Sequence, residues 1–174
     1  MREPRNVKTG ILHLVTCRVV NDERLLAPPE AKDLFVEDLG RLREKYGGLV
    51  VDFSVLDDHV HLLFEPRGNA DLAENMRWLF GVFAMRYNRR YGSSGHLWGR
   101  RYDSRPIRGG AELLEAIERI DDNAVRAGLA ERPEDWEWSG LGQRRRGDGG
   151  VLGEPPPWLG LIASAHRARA PISS

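Results

Sequence analysis

Strand, helix, strand, strand, helix, strand, helix is the order in which this chain lays out its periodic segments. That order predicts an α+β fold, a ferredoxin-like split β-α-β with an antiparallel sheet. The helices are expected mainly on one face, with a C-terminal helix and an irregular tail. Three observations carry the prediction. Two apolar runs are joined only by Asp57-Asp58, a link short enough to make them an antiparallel hairpin. A long stretch of helical periodicity stands on each side of that hairpin. An apolar, β-branched run precedes the first of these stretches, and a partly extended one follows the second.

The first strand reads from Ile11 to Val20 and carries His13 and Thr16. Asn21-Asp22-Glu23 turns the chain. Pro28-Pro29 opens a helix that runs to about Tyr46, with Ala31, Leu34, Phe35, Leu39 and Leu42 on its inner face. Gly47-Gly48 ends it. Leu49 to Leu56 is the second strand and Val60 to Phe64 the third, broken by Pro66-Arg67-Gly68-Asn69. The second helix spans about Ala70 to Tyr91, with a core stripe of Leu72, Met76, Leu79, Phe80 and Phe83. After the Gly92-to-Gly95 loop, Leu97 to Ile107 is partly extended. Gly109-Gly110 precedes a helix from about Ala111 to Ala124 that turns Leu113, Leu114, Ile117 and Ile120 inward. Residues 1–140 form one domain on this reading. Residues 141–174 form a Gly- and Pro-rich basic tail, partly disordered, with a docked Trp158 or a short terminal helix as its ordered part.

At 174 residues, 41% hydrophobic and 30% charged, the chain can bury one sizeable core. Its formal net charge is +0, so nucleic-acid binding has to rest on local charge rather than on the total. The single cysteine, Cys17, excludes an internal disulfide and suits a reducing, cytoplasmic setting. It sits in an apolar run and reads as a small buried hydrophobe. Met1 to Lys8 is charged and no long apolar stretch follows, so neither a signal peptide nor a membrane partner is expected.

Two features carry chemistry. In His59-Val60-His61 the side chains of a strand alternate, so both imidazoles share one face while Val60, Leu62 and Phe64 share the other. Such a pair can ligate a divalent metal or clamp a phosphate; it can also be two ordinary strand histidines. From Arg77 to Arg108 the cations are Arg77, Arg86, Arg89, Arg90, Arg100, Arg101, Arg105 and Arg108, against Asp103 alone, with Tyr87, Tyr91, His96, Trp98 and Tyr102 interleaved. Arginines neutralise phosphates and flat rings stack on unpaired bases, so the segment reads as a single-strand binding surface; the alternative is a solvated helix face with a few core aromatics.

The ordered series of motifs resembles the HUH single-strand DNA transposases, and within them the REP-associated tyrosine transposases. It comprises His13 to Thr16, Leu56 to Leu63, Met85 to Asn88, Gly95 to Tyr102, Asn123 to Leu129 and Pro133 to Ser139, and so covers roughly Gly10 to Leu141. The resemblance implies that His59 and His61 bind Mg²⁺ or Mn²⁺, with Asn123 as a polar ligand from the last helix. It implies a tyrosine on that helix that attacks the scissile phosphate, leaving a 5′-phosphotyrosine link and a free 3′-OH. It also implies a single-stranded or hairpin DNA partner and a monomer or homodimer; the arginine-rich segment supplies Arg86, Arg89, Arg90, Arg100, Arg101, Tyr102 and Arg105 as the expected contacts.

One departure is plain. The family places the tyrosine four residues before the asparagine, and here that position is Arg119. Glu115, Arg119 and Asn123 recur every four residues and share a helix face. Arginine stays protonated and cannot attack phosphorus, but it can bind the phosphate or pair with Glu115. The leading expectation is a transposase-like DNA-binding protein with a metal pair and no nucleophile. The alternatives are an active transposase or endonuclease that uses another tyrosine or water, and an interaction domain with a relic site.

Overall fold

The computed structural model describes residues 10–147 and 150–153. The expectations for Met1 to Lys8 and for Trp158 and a terminal helix lie outside the described residues. The sheet is antiparallel, with β1 (His13–Arg18) at its centre. On one side β1 pairs with β3 (His59–Glu65), which pairs with β2 (Leu49–Val55); on the other it pairs with β4 (Asp103–Pro106). The order β2-β3-β1-β4 is that of a ferredoxin-like split β-α-β. β4 is shorter than the stretch that predicted it. Upstream, Trp98 packs its ring against Phe80, Phe83 and Phe35 and donates its indole N–H to the Phe80 carbonyl at 2.9 Å, and only an isolated bridge to Val19 ties the chain to the end of β1.

Helix α1 (Pro29–Tyr46) starts on a proline and ends where Gly47 takes φ +70°, a conformation an L side chain resists. Helix α2 (Leu72–Tyr91) starts where the Asp71 carboxylate accepts the Glu74 N–H at 2.8 Å. The two lay Ala31, Phe35, Leu39, Leu42, Met76 and Phe83 on one face of the sheet, against Val15, Cys17, Phe53, Val60 and Leu62. Burial pushes the Cys17 thiol up to about 12, so it stays protonated.

Helix α3 (Gly110–Asp121) crosses the other face. Leu113, Ala116 and Ile120 close a second core over Leu12, Leu14, Leu49, Val51 and Leu63. Asp122 caps α3 with its N–H on the Glu118 carbonyl at 2.9 Å, and the short α4 (Asn123–Arg126) follows directly. α3 covers β2 and part of β3, so a strip of that face remains for polar groups.

Over Gly140–Arg146 the structure departs from the expected loose tail. The α5 helix (Gly140–Arg146) begins on Ser139, whose hydroxyl accepts the Gly142 N–H at 3.0 Å. It therefore straddles the expected boundary between residues 140 and 141. The glycines that read as looseness allow close approach instead. A Cβ on Gly140 would lie 2.0 Å from Asp52 Oδ1, and one on Gly142 would lie 2.1 Å from the Trp136 carbonyl oxygen. Ahead of α5, Trp136 donates to the Val55 carbonyl at 3.1 Å and Trp138 to Asp33 at 2.8 Å. Buried Lys32 lies 5.4 and 5.0 Å from the centres of these two rings and reaches Asp57 Oδ1 at 2.8 Å.

A bulge in β2 between Val50 and Asp52 turns Asp52 onto the α3 face, opposite Leu63. There it meets Asp121 and the Arg144 guanidinium, which stands 3.6 Å from Asp52 Oδ2. Burial, more than the neighbouring carboxyl, pushes Asp121 up to about 8 and raises Asp52 as well. Between the unfolded carboxylate pKa of about 4 and these raised values the folded state holds the extra proton, so stability falls as pH rises. Asp52→Asn should flatten that slope. Thermal melts should show little difference from the unmodified chain near pH 4 and a Tm higher by about 2–4 °C near pH 8. Parallel pH profiles would show that the pair does not share a proton.

Candidate metal centre and nucleic-acid interface

Strand pairing sets out the site. Ser54 on β2 lies opposite His61 on β3, His61 opposite Thr16 on β1, and Thr16 opposite Asp103 on β4. This polar row crosses the α3 face of the sheet. His59 lies one step along β3, on the same face and opposite Arg18.

Both imidazoles are buried, at 8% and 3% exposure, with ring centres 5.0 Å apart. His59 Nδ1–H donates to Asp58 Oδ1 at 2.7 Å. A carboxylate only accepts, so the lone pair of this ring sits on Nε2. The Asn123 amide donates to that Nε2 at 3.1 Å. His61 Nδ1 shares a hydrogen bond of 2.8 Å with the Thr16 hydroxyl. Burial first, then the nearness of His59 and the charges of Arg119 and Arg18, push His61 down to about 3, so it is neutral at neutral pH. A neutral imidazole oriented through Nδ1, as at His61, is the form in which histidine ligates a metal.

Among the described residues no three His, Cys, Asp or Glu side chains cluster closely enough to hold a metal. His59, His61 and the amide of Asn123 nevertheless fit one. The bond from Asn123 to His59 shows the amide aimed at the lone pair that a metal would take.

Arg119 is exposed on the last turn of α3, and its charge is felt at His61. Glu115 does not pair with it; Glu115 Oε1 lies 3.7 Å from Arg105 instead. Beside Thr16 a cleft of about 440 Å³ is lined by Arg18, Asn21, Arg100, Arg101 and Asp103. Arg101 also lies 5.6 Å from the centre of the Tyr102 ring. Arg89 and Arg90 are exposed on the last turn of α2, in the helix layer of the opposite face. Arg86 differs from them. It donates to Glu37 at 2.8 Å and to buried Asp38, and so ties α2 to α1.

The structure thus brings together His59, His61, Asn123 and Arg119, and sets Arg100 and Arg101 beside them. Thr16 and Asp58, which orient the rings, were not assigned roles by sequence reasoning. Nor was the unit of Asp52, Asp121 and Arg144, although an acid inside the apolar run Leu49 to Leu56 is a signal of one.

An antiparallel β2-β3-β1-β4 sheet that carries a histidine pair beside α3 and α4 defines the class: the HUH transposase superfamily. Residues 6–119 match the family model of IS200-like transposases, and the chain belongs to that family. Its fold is similar to that of a REP-associated tyrosine transposase solved bound to a REP hairpin, with a TM-score of 0.69 and 16% identity over 90% of this chain and 92% of that one. It is also similar to a Deinococcus radiodurans protein assigned to the transposases, with a TM-score of 0.50 and 20% identity over 69% of this chain and 98% of that one. A search of curated proteins finds no match. No helix among the described residues is long and apolar enough to cross a membrane.

Proposed function

We propose that this chain binds single-stranded or hairpin DNA, holds Mg²⁺ or Mn²⁺ on His59, His61 and Asn123, and lacks the tyrosine that would join it covalently to the strand. One observation carries the last part. The chain has four tyrosines, and none is on the histidine face. Tyr46, Tyr87 and Tyr102 pack against the core under α1 and α2, and Tyr91 packs its ring against Tyr87. His59 and His61 lie on the other side of the sheet, under α3 and α4. A phenol behind the sheet cannot come within the roughly 3–3.5 Å that attack requires.

The bound ion would polarise a phosphate oxygen as a Lewis acid. The chain's own groups do the rest. Asp58 and Thr16 fix the two rings, Arg119 offers its guanidinium to the phosphate where the family has its nucleophile, and Arg100 and Arg101 hold the strand along the cleft. Arg105, exposed beside Glu115, is a weaker contact. Arg86 serves the α1–α2 joint. The hairpin held by the similar REP-associated structure supports hairpin DNA as the partner.

Binding tests this reading. Fluorescence anisotropy with a hairpin that carries single-stranded flanks should give micromolar or tighter affinity that falls steeply with salt. Arg89→Gln with Arg90→Gln should make the log–log slope shallower by about 1.4 if both touch single-stranded phosphates. An unchanged slope removes the two from the interface, and no binding at low salt rejects the DNA-binding function.

A further inference from the structure

A second cavity, of about 420 Å³, opens on the opposite side of the loop that lines the histidine-side cleft. Its floor is Cys17, Met76 and Phe80, all buried. Its walls are the half-exposed rings of Trp98 and Tyr102. Phe80 stands 5.0 Å from Trp98 and 6.0 Å from Tyr102, centre to centre, with the Tyr102 plane tilted 32° from it. Arg77, Arg100 and Arg101 form the rim; all three are exposed, and no acid lines the cavity. Among the described residues no carboxylate is within ion-pair distance of any of the three, whereas Arg86 and Arg105 both have acidic partners.

We propose that this pocket takes one unstacked nucleobase of the DNA strand whose phosphates run along the cleft beside Thr16. The inference rests on the DNA-binding reading above and adds a place where the strand gives up a base. Flat rings and an apolar floor offer a base its stacking partners, and an arginine rim matches the phosphates on either side of it. Arg100 and Arg101 line both cavities, so a strand that leaves the cleft over them arrives at the pocket mouth within its next nucleotides. The Trp98 indole N–H is already engaged with the Phe80 carbonyl, so the tryptophan wall offers a ring face rather than a donor. The pocket therefore demands a base without strongly selecting which one.

The probe is a hairpin DNA with single-stranded flanks, in which each flanking nucleotide is replaced in turn by an abasic site. With the unmodified chain, one position should weaken binding by about tenfold and the others much less. With Tyr102→Ala the same abasic site should cost nothing further. Ala73→Trp fills the pocket from α2 and leaves all three arginines in the chain; it should also erase that sensitivity while the salt slope stays as it was. Circular dichroism melts confirm that each variant folds. If no position stands out, or if the sensitive position persists in both variants, DNA binding stands and the pocket assignment is overturned. If the unmodified chain binds no oligonucleotide at low salt, both fall together.

Discussion

Arg119→Tyr should turn a chain that forms no covalent link with DNA into one that does. Arg119 lies one helical turn before Asn123, whose amide reaches His59, and its own charge depresses the pKa of His61. A phenol at this position projects toward the same phosphate site, and it is exposed enough to move without displacing core atoms. Attack would join the tyrosine oxygen to phosphorus, release a 3′-OH, and leave the downstream strand on the protein through its 5′-phosphate. A hairpin DNA labelled at its 3′ end should therefore shift the variant on a denaturing protein gel in the presence of Mn²⁺. Placing the nucleophile on the protein should raise adduct yield by on the order of 100-fold or more over the unmodified chain. An adduct of equal yield from the unmodified chain would mean that one of its four tyrosines reaches the site, against the sheet geometry. Cleavage without an adduct would point to water as the attacking group. No cleavage by either chain would leave DNA binding alone.

His59→Ala should abolish Mn²⁺ binding measured by titration calorimetry, with a loss on the order of 100-fold or more. Two protein nitrogens and one amide make a small ligand set, so the loss of one cannot be absorbed by the others. Asp58→Asn keeps the ring but replaces the carboxylate that orients it, and should weaken binding by about 10–100-fold. Thr16→Val should act on His61 in the same direction. This graded order separates a metal centre from two buried strand histidines. Equal affinities across the series would remove the metal from His59, even if DNA binding persisted.

Much of this site was legible in the sequence because it rests on local periodicity. Alternation in a strand puts His59 and His61 on one face, and a spacing of four does the same for Arg119 and Asn123. The hairpin followed from the brevity of Asp57-Asp58, and the helices from their apolar stripes. What stayed hidden depends on partners distant in the chain. Arg86 belongs to an arginine-rich segment, yet its charge is taken up by Glu37 and Asp38, 49 and 48 residues away. Gly140 and Gly142 signal flexibility by composition, and only the closeness of Asp52 and Trp136 reveals them as contact residues. The β2 bulge could not be read either, because β2 is buried along its whole length and shows no alternation for the extra residue to shift. Asp52 was therefore assigned no partner.

The tryptophan pair ahead of α5 has a consequence for how the molecule is made. Trp136 and Trp138 close on Lys32 and Asp33, more than a hundred residues upstream, and Lys32 in turn holds Asp57, two residues before His59. On the ribosome, synthesis runs from the N-terminus, so the histidine hairpin and both large helices emerge well before the segment that braces them. The nascent protein must therefore wait with Lys32 uncaged, and the brace forms only through contacts of high sequence separation, the slow kind. Maturation of the site is then timed by a segment made long after the histidines. A polypeptide stalled before Trp136 would carry the histidines without the clasp that steadies them.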